Sequence, residues 1–472
     1  MIKRLVLPFF IFFVLAYPIF AQMPSIGAQV FIEPGQTEKE ITHWFEVLKK
    51  NGFTSCRIRM FESYMRDSKG NYDFSLFDIA FDAAKANGIK VFATIFPDTP
   101  FEDVGGIKLP KDSIHQEEIA SYISHLVNHY KDHPALFAWV LINEPGLGSL
   151  PQSDYVSKAL SMWQDTVQQS QLKKHEYRQV QFENQRFLMD LNTSFLSWVA
   201  KEIKKYDKKT HLHVNNHQIF QLADEYDFPS WMTFLNSLGA SIHPSWHFGF
   251  FDRVDYTLAA AANCDMIASG AGKKPFWVTE LQGGSNIFSG VKPISPSYEE
   301  ITQWLWSSIG SGAEVIIFWS LNPRAVGIEA GEWALLNNLN RNSKRMDAAA
   351  QVANTLNNHQ AFFAQAKSVK PKVNVLYTHQ SMWAEKYLHM GPSKLEARNI
   401  GASIKSALSF YQAFQEIGIS VSLGEMNEYD WNRVDYKGEI LVLANQFAIS
   451  EENWDLLKSF VAKGGFLFLE GL

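Results

Sequence analysis

Cysteine is nearly absent: Cys56 and Cys264 are the only two in a chain of 472 residues. That excludes a disulfide-stapled scaffold and a cysteine-based zinc cluster. Both read as buried free thiols, with a single bridge between them as the alternative. An excess of positive charge is missing too. The 43 Lys and Arg are outnumbered by 49 Asp and Glu, a formal net charge of −6. A phosphate backbone needs a basic surface to neutralise it, so a nucleic-acid partner is not expected. After residue 21 no stretch is apolar enough to span a bilayer, and no membrane partner is expected either. The chain carries no short repeat and no low-complexity tract.

What is present in quantity is aromatic: 14% of the chain, with 14 Trp and 36 Phe. Flat rings stack on sugar faces and also fill cores, and composition alone does not separate the two. Residues 1–21 read as a secretory signal. Lys3 and Arg4 precede an apolar run, Leu5 to Ala16, too short to span a bilayer, and Ala21 precedes the expected cleavage site. An uncleaved anchor is the alternative; a lipid anchor is not expected, since no cysteine lies at the junction. The expected location is secreted or periplasmic.

Strand and helix patterns then alternate. The strands are expected at Gly27–Ile32, Thr54–Met60, Lys90–Ile95, Phe137–Ile142, His211–Asn215, Gly239–His243, Phe276–Glu280 and Glu314–Trp319. Amphipathic segments lie between them: Thr37–Lys50, Phe74–Asn87, Ser113–Lys131, Phe195–Tyr206 and Tyr298–Ile309. Asn51-Gly52 and Asn87-Gly88 stand where a left-handed helix cap is wanted. Eight such units predict an α/β fold, a (β/α)8 TIM barrel over 22–368, with a doubly wound open sheet as the alternative. The fifth unit is preceded by a long polar insertion, Asp154–Arg186. Residues 369–472 predict a second α/β domain: strands at Pro371–Tyr377, Ile419–Leu423, Ile440–Ala444 and Phe466–Leu469, with helices Ser403–Ile417 and Glu452–Ala462. It stops right after a strand with no closing helix, so it is expected to be incomplete.

In a barrel of this kind the chemistry lies at the C-terminal ends of the strands. Two glutamates fall there. Glu144 follows the fourth strand in Asn143-Glu144-Pro145, and Glu280 ends the seventh in Trp277-Val278-Thr279-Glu280. Glycoside hydrolysis with retention needs two carboxyls, one as acid/base and one as nucleophile, about 5–5.5 Å apart. Either glutamate alone would be an ordinary helix cap or surface residue. The pair, at matching strand ends, points to catalysis.

These residues resemble clan A glycoside hydrolases, and most of all glycoside hydrolase family 42, β-galactosidases whose barrel is followed by a trimerisation domain. Asn51-Gly52-Phe53-Thr54-Ser55-Cys56-Arg57-Ile58-Arg59 resembles the family's second strand, where an arginine enters the sugar pocket. Asn71-Tyr72-Asp73-Phe74 and Gly88-Ile89-Lys90-Val91 resemble the approach to the third strand. Asn143-Glu144 matches the Asn and acid/base pair, Glu280-Leu281-Gln282-Gly283-Gly284 the surroundings of the nucleophile, and Lys372 onward a flavodoxin-like trimerisation domain. The resemblance implies a retaining, exo-acting β-glycosidase, β-galactosides favoured, acting on an oligosaccharide or glycoside as a homotrimer without cofactor or metal. It makes Glu144 the general acid and later base, Glu280 the nucleophile, Asn143 the partner of the sugar 2-hydroxyl, and Arg57 the residue holding the nucleophile charged. Arg59 shares that strand face and is the other choice. Trp319, ending the eighth strand, would be the stacking floor of the pocket, or else a plain core residue.

Two departures are visible. Pro145 stands where an aromatic residue or glycine is usual, and the interval between the glutamates is shorter. Both features point toward neighbouring families that include β-mannosidases, the alternative substrate class. Histidines offer a rival chemistry: His211, His213, His217, His243 and His247 could form a zinc cup, but no carboxylate stands at helical spacing to them. His243, at the sixth strand's end, suits a sugar contact better. Gly283-Gly284 lacks the lysine and helix of a phosphate loop. A sugar-binding protein on an inactive barrel is the non-enzymatic alternative.

Overall fold

The computed structural model describes residues 23–97, 105–171, 182–388 and 399–471. The expected secretory signal, residues 1–21, lies outside them.

Eight strands close into a parallel barrel in sequence order: β1 (Ser25–Gln29), β2 (Ser55–Phe61), β3 (Lys90–Phe96), β4 (Leu136–Asn143), β5 (His211–Asn216), β6 (Leu238–Ile242), β7 (Phe276–Gln282) and β8 (Val315–Trp319), with β8 returning to β1. Closure overturns the open-sheet alternative. Around it run α1 (Glu38–Lys50), α2 (Ser75–Asn87), α3 (Ser113–Tyr130), α4 (Asp154–Gln171), α5 (Glu183–Tyr206), the short α6 (Ile219–Leu222) and α7 (Phe228–Trp231), α8 (Tyr256–Ala271), α9 (Tyr298–Gly310) and α10 (Lys344–Asn358), with one further turn, α11 (Gln360–Phe363). The helix starts follow from side chains. Thr37 with Glu40 and Ser297 with Glu300 form reciprocal capping boxes for α1 and α9. Gly88 ends α2 at φ +69, the left-handed cap its position asked for. The described residues of the polar insertion before the fifth strand form α4 and the start of α5.

The barrel interior changes character along its axis. Phe92, Ala138, Val140, Trp277, Val315 and Ile317 fill one end as a buried apolar plug. Toward the C-terminal ends of the strands the inward residues become polar: Arg57, Thr94, Asn143, His213, Asn215 and Glu280, all buried. Phe31, Phe61, Phe96, Trp319 and Trp333 form an aromatic wall there. The strand register shifts between Val140 and Asn143 on β4, and between Val278 and Leu281 on β7. Such irregularities re-aim side chains, and here they fall where both glutamates emerge.

A second parallel sheet follows, ordered β10 (Val421–Glu425), β9 (Val373–Tyr377), β11 (Ile440–Ala444), β12 (Phe466–Glu470). Its helices are α12 (His379–Leu388), α13 (Ala402–Glu416) and α14 (Glu451–Ala462). Val373, Val375, Leu423 and Val442 belong to one apolar core with α13 and with the barrel's α8, while Leu376, Leu441 and Leu443 pack with Leu457 and Phe460 of α14. The sheet therefore borrows a barrel helix to cover one face. Cys56 and Cys264 are both buried and free, so the bridge alternative is overturned.

Candidate active site

Glu280 is the centre of the polar end of the barrel. Arg57 Nη1 lies 2.5 Å from its Oε2, Arg59 Nη2 3.2 Å from the same oxygen, and His243 Nε2 3.3 Å from Oε1. Burial alone would push this carboxyl up. The Arg59 charge, the His243 hydrogen bond and the Arg57 charge more than reverse that and hold it well below the usual carboxylate range. It is an ionised group at neutral pH, as a nucleophile must be. Both arginines serve it, so the choice between Arg57 and Arg59 is not exclusive.

Arg57 is itself fixed at every nitrogen. Its Nε donates to Thr94 Oγ1 at 2.8 Å, and its Nη2 to Asn143 Oδ1 at 2.7 Å and Asn215 Oδ1 at 3.1 Å. Burial draws the guanidinium down to about 10 against the opposing pull of Glu280, which still leaves it charged at neutral pH. With Asn143 Oδ1 taken by guanidinium donors, its Nδ2, 3.3 Å from the Gly105 carbonyl oxygen, is the side that can donate onward.

Glu144 faces Glu280 across the pocket. One of its carboxyl oxygens, one from Glu280 and a ring nitrogen of His243 all lie within 4.8 Å of one another. Its Oε1 is buried without a partner, and His217 Nδ1 stands 3.9 Å from Oε2. The backbone of Glu144 adopts φ +49, a left-handed conformation that a non-glycine residue holds only when its surroundings impose it.

The histidines do not form the zinc cup. His213 is locked between Ser237 Oγ and Thr279 Oγ1, 3.0 Å from each, and burial keeps it neutral. His211 is exposed at the other end of β5, and burial pushes His247 down to about 3. Glu144, His243 and Glu280 are the one group that could hold a metal among the described residues, yet a cation there would meet both guanidinium groups on Glu280. Trp319 is 2% exposed, with the Arg59 guanidinium 3.9 Å over its ring. That ring packs within the aromatic wall and supports Arg59.

Residues outside the expected set also reach the site. Asn215, next to the last residue of β5, ties Arg57 to Ser241 Oγ at 2.8 Å; its place near a strand end was the available signal. Trp333 and Trp246 flank His243, with ring centroids 5.1 and 4.4 Å away. Glu329, between β8 and α10, is lifted to about 7, by burial first, and is close enough to feel Arg59, Glu280 and His243. The last three come from loops, where no periodicity marks them.

The chain has counterparts among known proteins. A family model described as beta-galactosidase, glycoside hydrolase family 42, matches residues 152–359. Over that stretch the chain resembles the glycoside hydrolases of family 42. It is 21% identical, over 92% of its length and 68% of the relative's, to the beta-galactosidase BbgII of Bifidobacterium bifidum. Among solved structures, a beta-galactosidase from the psychrophilic Marinomonas ef1 superposes with a TM-score of 0.77 at 16% identity, covering 94% of this chain and 75% of that one. A cold-adapted beta-galactosidase from Rahnella sp. R3 gives 0.76 at 17% identity, over 95% and 71%. At those identities the structural likeness speaks for the fold of this glycoside hydrolase.

Proposed function

We propose that the protein is a retaining, exo-acting β-glycosidase that removes terminal β-linked sugars, with β-galactosides as the favoured substrates. The observation that carries the reading is the approach of the Glu144 and Glu280 carboxyl oxygens to within 4.8 Å. Retention needs carboxyls about 5–5.5 Å apart, whereas inversion needs about 6.5–9.5 Å to seat a water.

In the first step a Glu280 carboxylate oxygen bonds to the anomeric carbon as the glycosidic C–O bond breaks. The proton of Glu144 passes to the departing oxygen. In the second step water attacks the anomeric carbon, gives its proton to Glu144, and releases the sugar and the Glu280 carboxylate. Asn143 Nδ2 donates to the 2-hydroxyl, an interaction that strengthens in the transition state. Arg57 and Arg59 keep Glu280 ionised, and His243 orients it. Glu329, whose buried Oε2 has no partner and which feels the charges of Glu280 and Arg59, is a candidate for a further sugar hydroxyl.

The family 42 resemblance supports a homotrimer, and the charged and apolar pattern of residues 3–21 supports secretion to the periplasm or beyond. Purified protein offered a panel of nitrophenyl β-glycosides tests the reading. Release from the galactoside, lost in Glu280→Ala and indifferent to chelator, is the expected result. Release only from the mannoside moves the substrate class. Sugar binding without release from any member supports an inactive barrel, and chelator sensitivity supports metal chemistry.

A further inference from the structure

The stretch Asp224-Glu225-Tyr226, between α6 and α7, lies outside the pocket yet grips the segment that follows Glu144. The two Glu225 carboxylate oxygens each accept one backbone N–H, from Leu147 and from Gly148, both at 2.7 Å, and Asn192 Nδ2 adds a third donor at 3.2 Å. The Tyr226 hydroxyl lies 2.8 Å from the Pro145 carbonyl oxygen and 2.7 Å from that of His217. Residues 145–148 are thus tied down at three points immediately beyond Glu144, whose φ of +49 relaxes unless neighbouring structure holds it.

The same stretch is held from its other side by the second sheet's domain. Lys386 Nζ, on α12, lies 2.8 and 2.7 Å from the two Asp224 carboxylate oxygens, and Trp383 Nε1 donates to the Asp224 carbonyl at 3.1 Å. Asp224 and Glu225 are each 1% exposed. Two adjacent buried carboxylates repel each other unless a cation compensates one of them, and Lys386 supplies it. A continuous chain of contacts therefore runs from α12 through Asp224, Glu225 and Tyr226 to the backbone that presents Glu144.

We infer that Asp224, Glu225 and Tyr226 are positioning residues for the general acid/base, and that the second domain, through Lys386 and Trp383, sets where Glu144 stands. The inference rests on Glu144 being the proton donor to the leaving group. An acid displaced by a fraction of an ångström matters for a leaving group that needs protonation and hardly at all for one that departs unaided.

The test is a leaving-group comparison on the full chain, with dinitrophenyl and methyl β-glycosides of the sugar that the wild type hydrolyses. The variants are Glu225→Gln, Tyr226→Phe, Lys386→Met and Lys386→Arg. The expected result is that Glu225→Gln and Lys386→Met lower kcat/KM on the methyl glycoside by about 10- to 100-fold, and on the dinitrophenyl glycoside by less than about threefold. Lys386→Arg restores most of the loss. Equal losses on both substrates mean a merely structural role, and no loss on either means no coupling; each overturns the inference. Should Glu225→Gln or Lys386→Met fail to fold, Tyr226→Phe, which removes a single hydroxyl, decides on the same comparison. Glu144→Ala serves as the reference. If it shows no leaving-group dependence, the assignment of Glu144 falls first, and separately from the role of the stretch.

Discussion

Arg57 and Glu280 stand 223 positions apart in sequence and 2.5 Å apart across the barrel. Arg59 reaches the same carboxylate oxygen, so one buried carboxylate, the proposed nucleophile, is held by two buried guanidinium groups. Removing one of them removes a charge that opposes the effect of burial. Arg57→Met is expected to raise the ionisation range of Glu280, and the acidic limb of kcat/KM then moves to higher pH. The carboxylate is depressed in the folded state, so its stabilising contribution is present at neutral pH and is lost only in strong acid. Breaking a buried pair costs about 3–5 kcal/mol, and the variant should show both effects together: an earlier urea midpoint and a shifted acidic limb. An unmoved limb would mean that Arg59 and His243 suffice.

The two glutamates should fail differently. Glu280→Ala removes the atom that forms the covalent intermediate in the proposed mechanism, and activity on every substrate should be lost. Glu144→Ala keeps that atom but lacks the proton donor and later the base, a contribution of about 10²–10⁴-fold. With a dinitrophenyl glycoside the first step still proceeds and the second stalls. A burst of dinitrophenol followed by a slow steady state, read by stopped flow, checks this, and intact mass should show the trapped glycosyl-enzyme. Absence of both would exchange or void the assigned roles.

These residues differ in how well sequence exposes them. Glu144 and Glu280 were legible because each follows an apolar strand run, and all eight barrel strands were legible for the same reason. Asn143, Arg57 and His243 came from the same strand-end logic or from the resemblance. The helix α12 was not seen. Its buried residues run almost without a break, His379 and then Ser381 through Glu385, so no amphipathic stripe marks it. Thr94 and Thr279 look like ordinary strand residues, and only barrel closure brings them to Arg57 and His213. Glu329 and Trp333 lie in a loop whose path depends on what it packs against.

Stability should depend on pH through the contact between barrel and second sheet. Asp265 of α8, which accepts from the Tyr411 hydroxyl at 2.6 Å, is pushed up to about 7 by burial. Glu428 reaches about 8, through burial and then the nearby charge of Glu425. Both bind a proton more tightly folded than unfolded. Their contribution is complete below the ordinary carboxyl range and declines as pH rises toward 7–8. The urea midpoint is expected to fall between pH 5 and 8.5, with a shallower fall in Asp265→Asn. A midpoint that rises over that interval would contradict it.

The Gly283-Gly284 pair serves packing. A Cβ on Gly284 would overlap the Trp333 carbonyl carbon and the Ala334 nitrogen, both backbone atoms that cannot step aside. A Cβ on Gly283 would meet its nearest atom, the Trp319 carbonyl oxygen, at 3.1 Å. Gly284→Ala should therefore destabilise by about 1–3 kcal/mol and, by displacing Trp333 from His243, lower kcat/KM. Gly283→Ala should do much less on both counts. Denaturant midpoints and kinetics on the pair of variants measure the contrast.

Glu329 is the group to examine above neutral pH. Its Oε2 is buried without a partner, and burial raises it to about 7 although Arg59, His243 and Arg324 pull the other way. Below pH 7 it can donate to a sugar hydroxyl; above, it can only accept, and it adds negative charge that Glu280 feels. Glu329→Gln donates at every pH and carries no charge. The expected outcome is a basic limb of kcat/KM displaced to higher pH, with a rise in KM at pH 6 of about 10-fold from the altered hydrogen bond. Glu329→Ala, which can neither donate nor accept, should raise KM at all pH values and also lose the limb set by Glu329. If the limb stays where the wild type has it in both variants, Glu329 does not titrate in the free enzyme's working range and its place beside the nucleophile is passive.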